Sequence, residues 1–318
     1  MSLPAALENR LKLPLIAAPM FLVSGPALVK AACRAGVIGS FPTANCRSVE
    51  ELDAWLADIK AATAGTAPFC PNLIVHRSNP RVQADLAAVL RAKAEIVITS
   101  VGSPEPVLKP LKDAGCLVLA DVASVRHAQK AVAAGVDGLV LLTAGAGGQT
   151  GRVNPFAFVR AVRQFWDGIV VMAGGMSDGH AIAAAETLGC DLAYMGTKFI
   201  ATRESLAKDA YKQMLVSSRL DDVLLTRAFT GLETNMLRPS IAAAGLDPDD
   251  LPQRGAIDIA KDINAAEREK SAEGSNAKRW KDIWSAGHSV SGVADVPAVA
   301  DLVERTAVEY AAARSTRP

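Results

Sequence analysis

Short apolar runs alternate with amphipathic stretches along most of the chain. Leu13–Pro19 (L-P-L-I-A-A-P), Val37–Phe41, Phe69–Val75, Glu95–Ser100, Cys116–Val122, Gly138–Thr143, Ile169–Ala173 and Asp191–Met195 each read as a strand. They are apolar on both parities rather than alternating, the pattern of strands covered on both faces. Helices are predicted between them at Gly25–Ala35, at Ser48–Ala62, at Pro80–Ala92, up to Ala114, and at Ser124–Ala134. Ser48, with Glu51 three residues on, reads as an N-cap. Repeated strand–helix units predict an α/β protein with a parallel sheet. Eight units fit a closed (β/α)8 TIM barrel better than an open doubly wound sheet. The open sheet's G-x-G-x-x-G fingerprint after the first strand is missing, and the chain there reads A-P-M-F-L-V-S-G.

After the eighth strand the character changes. The chain turns polar, with T-G-L-E-T-N-M-L-R-P and later a charged run from Asn264 to Asp282. Such a stretch is too long for a barrel loop without structure of its own. The expectation is a small helical lid, 204–285, inserted into a barrel made of 1–203 and 286–318. The charged run reads as a solvated helix face. Pro297–Ala313 reads as a final amphipathic helix of the outer ring.

Composition narrows the classes. A chain of 318 residues, 50% hydrophobic and 21% charged, suits one large α/β unit. A net charge of +1 and an aromatic content of 5% speak against nucleic acid as a partner. No apolar run approaches the ~18 residues of a membrane span. The start, M-S-L-P-A-A-L-E-N-R, does not read as a signal peptide. Cys33, Cys46, Cys70, Cys116 and Cys190 are scattered without a C-x-x-C pair and read as buried free thiols, which points to a cytoplasmic protein without a metal site.

Candidate chemistry lies at the C-terminal ends of the strands, where such barrels place their sites. There stand Ala18-Pro19-Met20, Asn72 with His76 beyond it, Ser100, Asp121, the glycine loop Gly145–Gly151, Ala173-Gly174-Gly175 and Gly196-Thr197. Backbone N–H groups in the last two turns suit a phosphate, which needs no basic side chain there.

Taken together, P-L-I-A-A-P-M at 14–20, P-N-L at 71–73, A-G-V-D-G-L-V at 134–140 and G-A-G-G-Q-T-G at 145–151 form an ordered set of motifs. A-G-G-M-S-D-G at 173–179, A-Y-M-G-T-K-F-I-A-T-R-E-S at 193–205 and W-S-A-G-H-S-V-S-G at 284–292 continue it. In order and spacing the set resembles the FMN-dependent nitronate monooxygenases, formerly 2-nitropropane dioxygenases, relatives of the flavin-type enoyl-acyl-carrier-protein reductases. The resemblance implies FMN, with its phosphate on Gly174, Gly175, Gly196 and Thr197. Pro19, Met20 and Asn72 would lie along its ring and ribityl chain, and Ala18, Asp121, Gly147, Gly148, Gln149 and Ala173 are the remaining cofactor candidates.

Two departures from the family's pattern matter. The family usually reads G-G-H-x-G after the sixth strand, its histidine the expected catalytic base, where this chain has Gly148-Gln149. The family usually reads A-G-Q near the C-terminus, where this chain has Ala286-Gly287-His288. Gln149 forms hydrogen bonds but takes no proton at neutral pH. His288 and His76 are therefore the catalytic candidates beside Gln149, while His127 reads as a surface residue and His180 as a solvent-side or phosphate-neighbour residue. The implied activity is oxidation of alkyl nitronates with O2 to a carbonyl compound and nitrite. The alternatives are an NAD(P)H-dependent reductase of quinones or enoyl thioesters, an acyl-CoA double-bond dehydrogenase, and a non-catalytic flavin-binding barrel. The implied partners are a small-molecule substrate and O2 or NAD(P)H, with a homodimer as an open question.

Overall fold

The computed structural model describes residues 3–251 and 282–315. The expected helical character of 252–281, most of the charged run included, lies outside the described residues.

Nine strands come before the lid: β1 (Leu15–Ala17), β2 (Ile38–Pro42), β3 (Phe69–Ile74), β4 (Ile96–Ser100), β5 (Leu117–Val122), β6 (Gly138–Leu142), β7 (Gly148–Gln149), β8 (Ile169–Ala173) and β9 (Leu192–Met195). All but β7 form a closed parallel barrel in the order β1-β2-β3-β4-β5-β6-β8-β9. The barrel closes where Ile16 of β1 pairs with Tyr194 of β9. The expected (β/α)8 TIM barrel is the fold. Its strands are apolar on both parities because both faces are buried. Ile16, Ile38, Ile98, Val140 and Val171 fill the barrel interior. Leu15, Ala17, Leu73, Leu139 and Leu141 face the helical ring. Leu3 and, from the short helix Ala5–Glu8, Leu7 pack into the interior cluster.

Several strands start later than the apolar runs suggest, because the first residue of the run serves a turn. Cys116 closes the helix Glu105–Asp113 by donating its N–H to Leu111. Asp191 stands before β9 and takes the N–H of Val170 and the guanidinium of Arg163. Ser48 caps its helix as expected, accepting the N–H of Glu51 at 3.2 Å, and Ser124 caps the next such helix through His127. All five cysteines are free and buried. Burial pushes the thiols of Cys33, Cys46 and Cys190 up to about 12, so they behave as apolar filler.

The segment inserted after β9 holds helices, Asp209–Ser217 and Arg238–Ala243, and adds a hairpin of β10 (Val223–Thr226) and β11 (Thr234–Leu237). The hairpin's third strand is β7 from the barrel's own glycine loop, with Thr234 opposite Gln149 and Asn235 opposite Gly148. Lid and loop are thus one sheet.

The last helix, Val299–Ser315, returns to the outer ring. Its first N–H, on Val299, is taken by the carboxylate of Glu204 at 3.1 Å. It packs so closely on Gly179, the first residue of the helix Gly179–Leu188, that an added Cβ would lie 2.1 Å from the nitrogen of Tyr310 and 2.4 Å from the oxygen of Thr306. Gly179→Ala is therefore expected to lose about 1–3 kcal/mol of stability by overpacking. Urea unfolding checks this, and a midpoint equal to the parent's would contradict the packing.

Candidate active site

A cavity of about 430 Å³ opens at the C-terminal ends of the barrel strands, under the lid. Each element places a few atoms on its wall. The β1 loop brings Ala18, Pro19 and Met20, held by two buried side chains. Ser24 accepts the N–H of Met20 at 3.0 Å. Asn45 accepts the N–H of Leu22 at 2.8 Å and donates to the carbonyls of Met20 and Ser24 at 3.1 and 2.8 Å. Asn45 thereby satisfies a turn in which Leu22 adopts a φ of 59°. Val101, just past β4, is held at a φ of 58°, an unfavourable value for a β-branched residue. Both line the cavity. Such strain persists where the surrounding structure enforces it, often at ligand sites.

On the wall of β3, β4 and β5 stand Asn72, Ser100 and Asp121. Asn72 donates to Ser100 Oγ at 3.1 Å and to the carbonyl of Ile98 at 3.3 Å, and the hydroxyl of Ser100 donates back to Asn72 at 3.3 Å. These two satisfy each other. Asp121 does not share in it: its Oδ1 is sealed from solvent and has no hydrogen-bond partner among the described residues. Burial alone pushes its carboxyl up to about 8.

The opposite wall is built from glycine turns. Gly174 has a φ of 115°, and an added Cβ there would meet Thr143 Oγ1 at 2.4 Å, a hydroxyl already donating to the carbonyl of Ala173 at 2.7 Å. Gly175, Gly196 and Thr197 continue this wall. The hydroxyl of Thr197 accepts the N–H of Gly287 at 2.9 Å. Gly287 in turn rests on the glycine loop: a Cβ on it would lie 2.7 Å from the Gly145 oxygen and 2.8 Å from the Gly147 nitrogen. The loop is tied to the lid by Asn235, whose amide donates to the carbonyl of Ala146 at 2.7 Å, and by Thr150, whose N–H reaches Glu233 at 3.0 Å.

Every residue expected to hold the cofactor lines this one cavity, and so does Gln149. The two candidate imidazoles do not. His76 lies past β3 with Nδ1 engaged by Ser78 at 2.8 Å, away from the wall. His288 is exposed and packs on Gly145, to which its N–H donates at 2.9 Å. Partial burial of its ring pushes its pKa down. The 3-10 turn His288–Gly292 sends Ser289 to the cavity and His288 to the solvent side. The expectation that His288 replaces a missing imidazole at the mouth does not fit this placement. His127 and His180 are exposed. Among the described residues, the ionisable groups on the wall are Asp121, Tyr194, Tyr211 and Lys208. Tyr211 stacks on Trp284 with centroids 5.0 Å apart, and Lys208 pairs with Asp282 at 3.2 Å. These lid residues were not legible as site residues; only Trp284 belonged to a motif. Among the described residues no His/Cys/Asp/Glu group can hold a metal, and no helix is long and apolar enough to cross a membrane.

With this geometry, the comparisons with known proteins are specific. Residues 79–309 match the profile of the family described as nitronate monooxygenase. The nitronate monooxygenase of Paraburkholderia phytofirmans is 30% identical over 91% of this chain and 90% of its own length. The chain belongs to the nitronate monooxygenase family, and it is an oxidoreductase. A second relative, 28% identical over 72% of this chain, is the (3aS,4S,5R,7aS)-5-hydroxy-7a-methyl-1-oxo-octahydro-1H-indene-4-carboxyl-CoA dehydrogenase of Mycobacterium tuberculosis, of whose length the match spans 64%. Among solved structures, the nitroalkane oxidase of Streptomyces ansochromogenes superposes with a TM-score of 0.80 at 26% identity, covering 98% of this chain and 99% of that one. FabK from Thermotoga maritima, with a TM-score of 0.79 at 23% identity over 98% and 96% of the two chains, shares the fold.

The state of Asp121 has a consequence for stability. A folded-state pKa of about 8 stands far above the unfolded carboxyl's ~3.9, so the folded chain holds a proton that the unfolded chain releases. Stability from this group is full below the unfolded pKa and is lost as pH rises through the window up to the folded value. Asp121→Asn is expected to raise the urea midpoint clearly near pH 8 and little near pH ~4. An equal shift at both pH values would contradict the assignment.

Proposed function

We propose that the chain binds FMN in this cavity and oxidises alkyl nitronates with O2 to a carbonyl compound and nitrite. The residues present fit the cofactor. The turns at Gly174-Gly175 and Gly196-Thr197 offer backbone N–H groups to a phosphate, and the space a Gly174 side chain would take is already filled by Thr143. Pro19, Met20 and Asn72 offer a wall for the ring and ribityl chain. When bound, FMN supplies the electron-accepting ring, and the protein positions the substrate and excludes water.

The observation that carries the choice of substrate is the absence of an imidazole from the wall. Of the chain's four histidines none lines the cavity, and Gln149 occupies the position where a base is expected. A neutral nitroalkane must lose its α-proton before oxidation, and a positioned base contributes about 10²–10⁴-fold to such a step. A nitronate is already an anion and needs only donors and an electron acceptor. The Gln149 amide donates without taking a proton. Lys208, paired with Asp282, stands at the lid side of the wall.

A second reading, oxidation of an acyl thioester, is favoured by one feature. The outer wall is apolar, with Phe21, Leu22, Leu206, Leu232, Ile283 and Trp284, and suits a bulky acyl group. It also requires removal of an α-proton, for which this wall has no imidazole, and so ranks second.

Oxygen uptake and nitrite release with ethyl nitronate and with nitroethane test the proposal. The nitronate is expected to turn over, with nitroethane slower by about 10²-fold or more. Gln149→His is expected to raise the nitroethane rate, and His288→Ala to leave nitronate turnover at the parent level. Equal rates on both substrates, or flavin-loaded protein that releases no nitrite, would sink it.

A further inference from the structure

The cavity wall holds one carboxyl oxygen that is sealed from solvent and has no hydrogen-bond partner among the described residues. Asn72 and Ser100 satisfy one another, and the Tyr211 hydroxyl is donated to the carbonyl of Ser285. Asp121 lines the cavity half-buried; its Oδ1 is shut off from solvent and has no hydrogen-bond partner among the described residues, which leaves the other carboxyl oxygen as the one open to a ligand. Leaving a buried polar atom unmatched costs about 1–3 kcal/mol, and more for an ionised one. A neutral carboxyl can leave the shut-off oxygen unpaired at least cost and turn an O–H on its other oxygen to a ligand in the cavity.

What surrounds Asp121 decides which form it presents. On neighbouring strands, Val140 of β6 stands opposite it in register, and Ala120 pairs with Thr99 of β4. The titratable groups across the barrel are Cys70 of β3 and Tyr194 of β9, both pushed up by burial and both neutral at physiological pH. From the lid come Tyr211, raised to about 12, and Lys208, which pairs with Asp282. Among the described residues no cation or N–H group acts on Asp121, and burial is what pushes its carboxyl up. A carboxylate sealed beneath a bound ligand with no countercharge would be expensive, and such a group stays protonated instead. A protonated carboxyl has one O–H to donate.

We propose that Asp121 acts as a neutral carboxylic acid that donates its O–H to an acceptor atom of the group bound in the cavity. The inference rests on the flavin reading above and adds to it. The acceptor is a carbonyl oxygen or an unprotonated ring nitrogen of the isoalloxazine, not a hydroxyl or N–H, and the protein binds FMN with its own proton in place. Asp121 is then a cofactor-contacting residue, and raising the pH ejects its proton and weakens the complex.

The experiment is FMN dissociation from the loaded full-length protein, followed by the fluorescence of released FMN from pH ~7 to ~9.5. Linkage to one proton predicts a dissociation constant rising about tenfold per pH unit above the carboxyl's own pKa. Asp121→Asn, which keeps an N–H donor, is expected to bind FMN with that dependence removed. In the parent protein, ¹³C NMR of labelled aspartate carboxyls is expected to show the Asp121 midpoint moving upward when FMN is bound. A midpoint that moves downward, or affinity that is level or rises with pH, overturns the inference and leaves the flavin reading standing. No flavin retained at any pH overturns the flavin reading, and this inference with it.

Discussion

The site depends on one close backbone contact. Gly145 and Gly147 of the loop after β6 press against Ala286 and Gly287 of the returning chain, with no room for a side chain on Gly147 or Gly287. Gly287 at the same time donates to Thr197, at the turn after β9. Two barrel loops and the end of the lid thus meet at one point. Asn235 adds the lid hairpin through the Ala146 carbonyl. Because Gly148–Gln149 is itself a strand of the lid sheet, whatever moves the lid moves Gln149. Position 149 is set by long-range pairing more than by its own loop.

Around that contact the cavity is costly to maintain. Two non-glycine residues on its wall have left-handed backbone conformations, and one carboxyl there has an oxygen sealed from solvent with no partner among the described residues. Local violations of this kind, in a fold otherwise consistent from propensity to packing, collect at functional sites. Their common location gives the cavity its weight as the candidate active site, independent of any motif. Asn45 shows how the strain is held, since three hydrogen bonds from one buried amide fix the β1 loop.

The barrel was legible because doubly covered strands write themselves as apolar runs between amphipathic helices. Strand ends were less so, since residues such as Cys116 and Asp191 look like strand but serve neighbouring turns. The glycine turns after β8 and β9 were legible by position, and the structure puts them around one cavity with Asn72, Asp121 and Gln149. The lid hairpin was not, because its third strand is two residues of a distant glycine loop. Asn45 belongs to no motif; only its contacts identify it. His288 lies in the turn His288–Gly292 beside the glycine loop, but which side a residue of a 3-10 turn faces depends on packing, and there Gly145 takes the ring. The unmatched state of Asp121 is a property of three dimensions alone.

The central claim is that this barrel carries a flavin that a nitronate reduces without help from an imidazole. Anaerobic titration of the flavin-loaded protein, followed by visible absorption, tests it most directly. The account predicts that an alkyl nitronate bleaches the flavin band and that the corresponding neutral nitroalkane does not on the same time scale. Bleaching by NADH, NADPH or an acyl-CoA with none by a nitronate would contradict it.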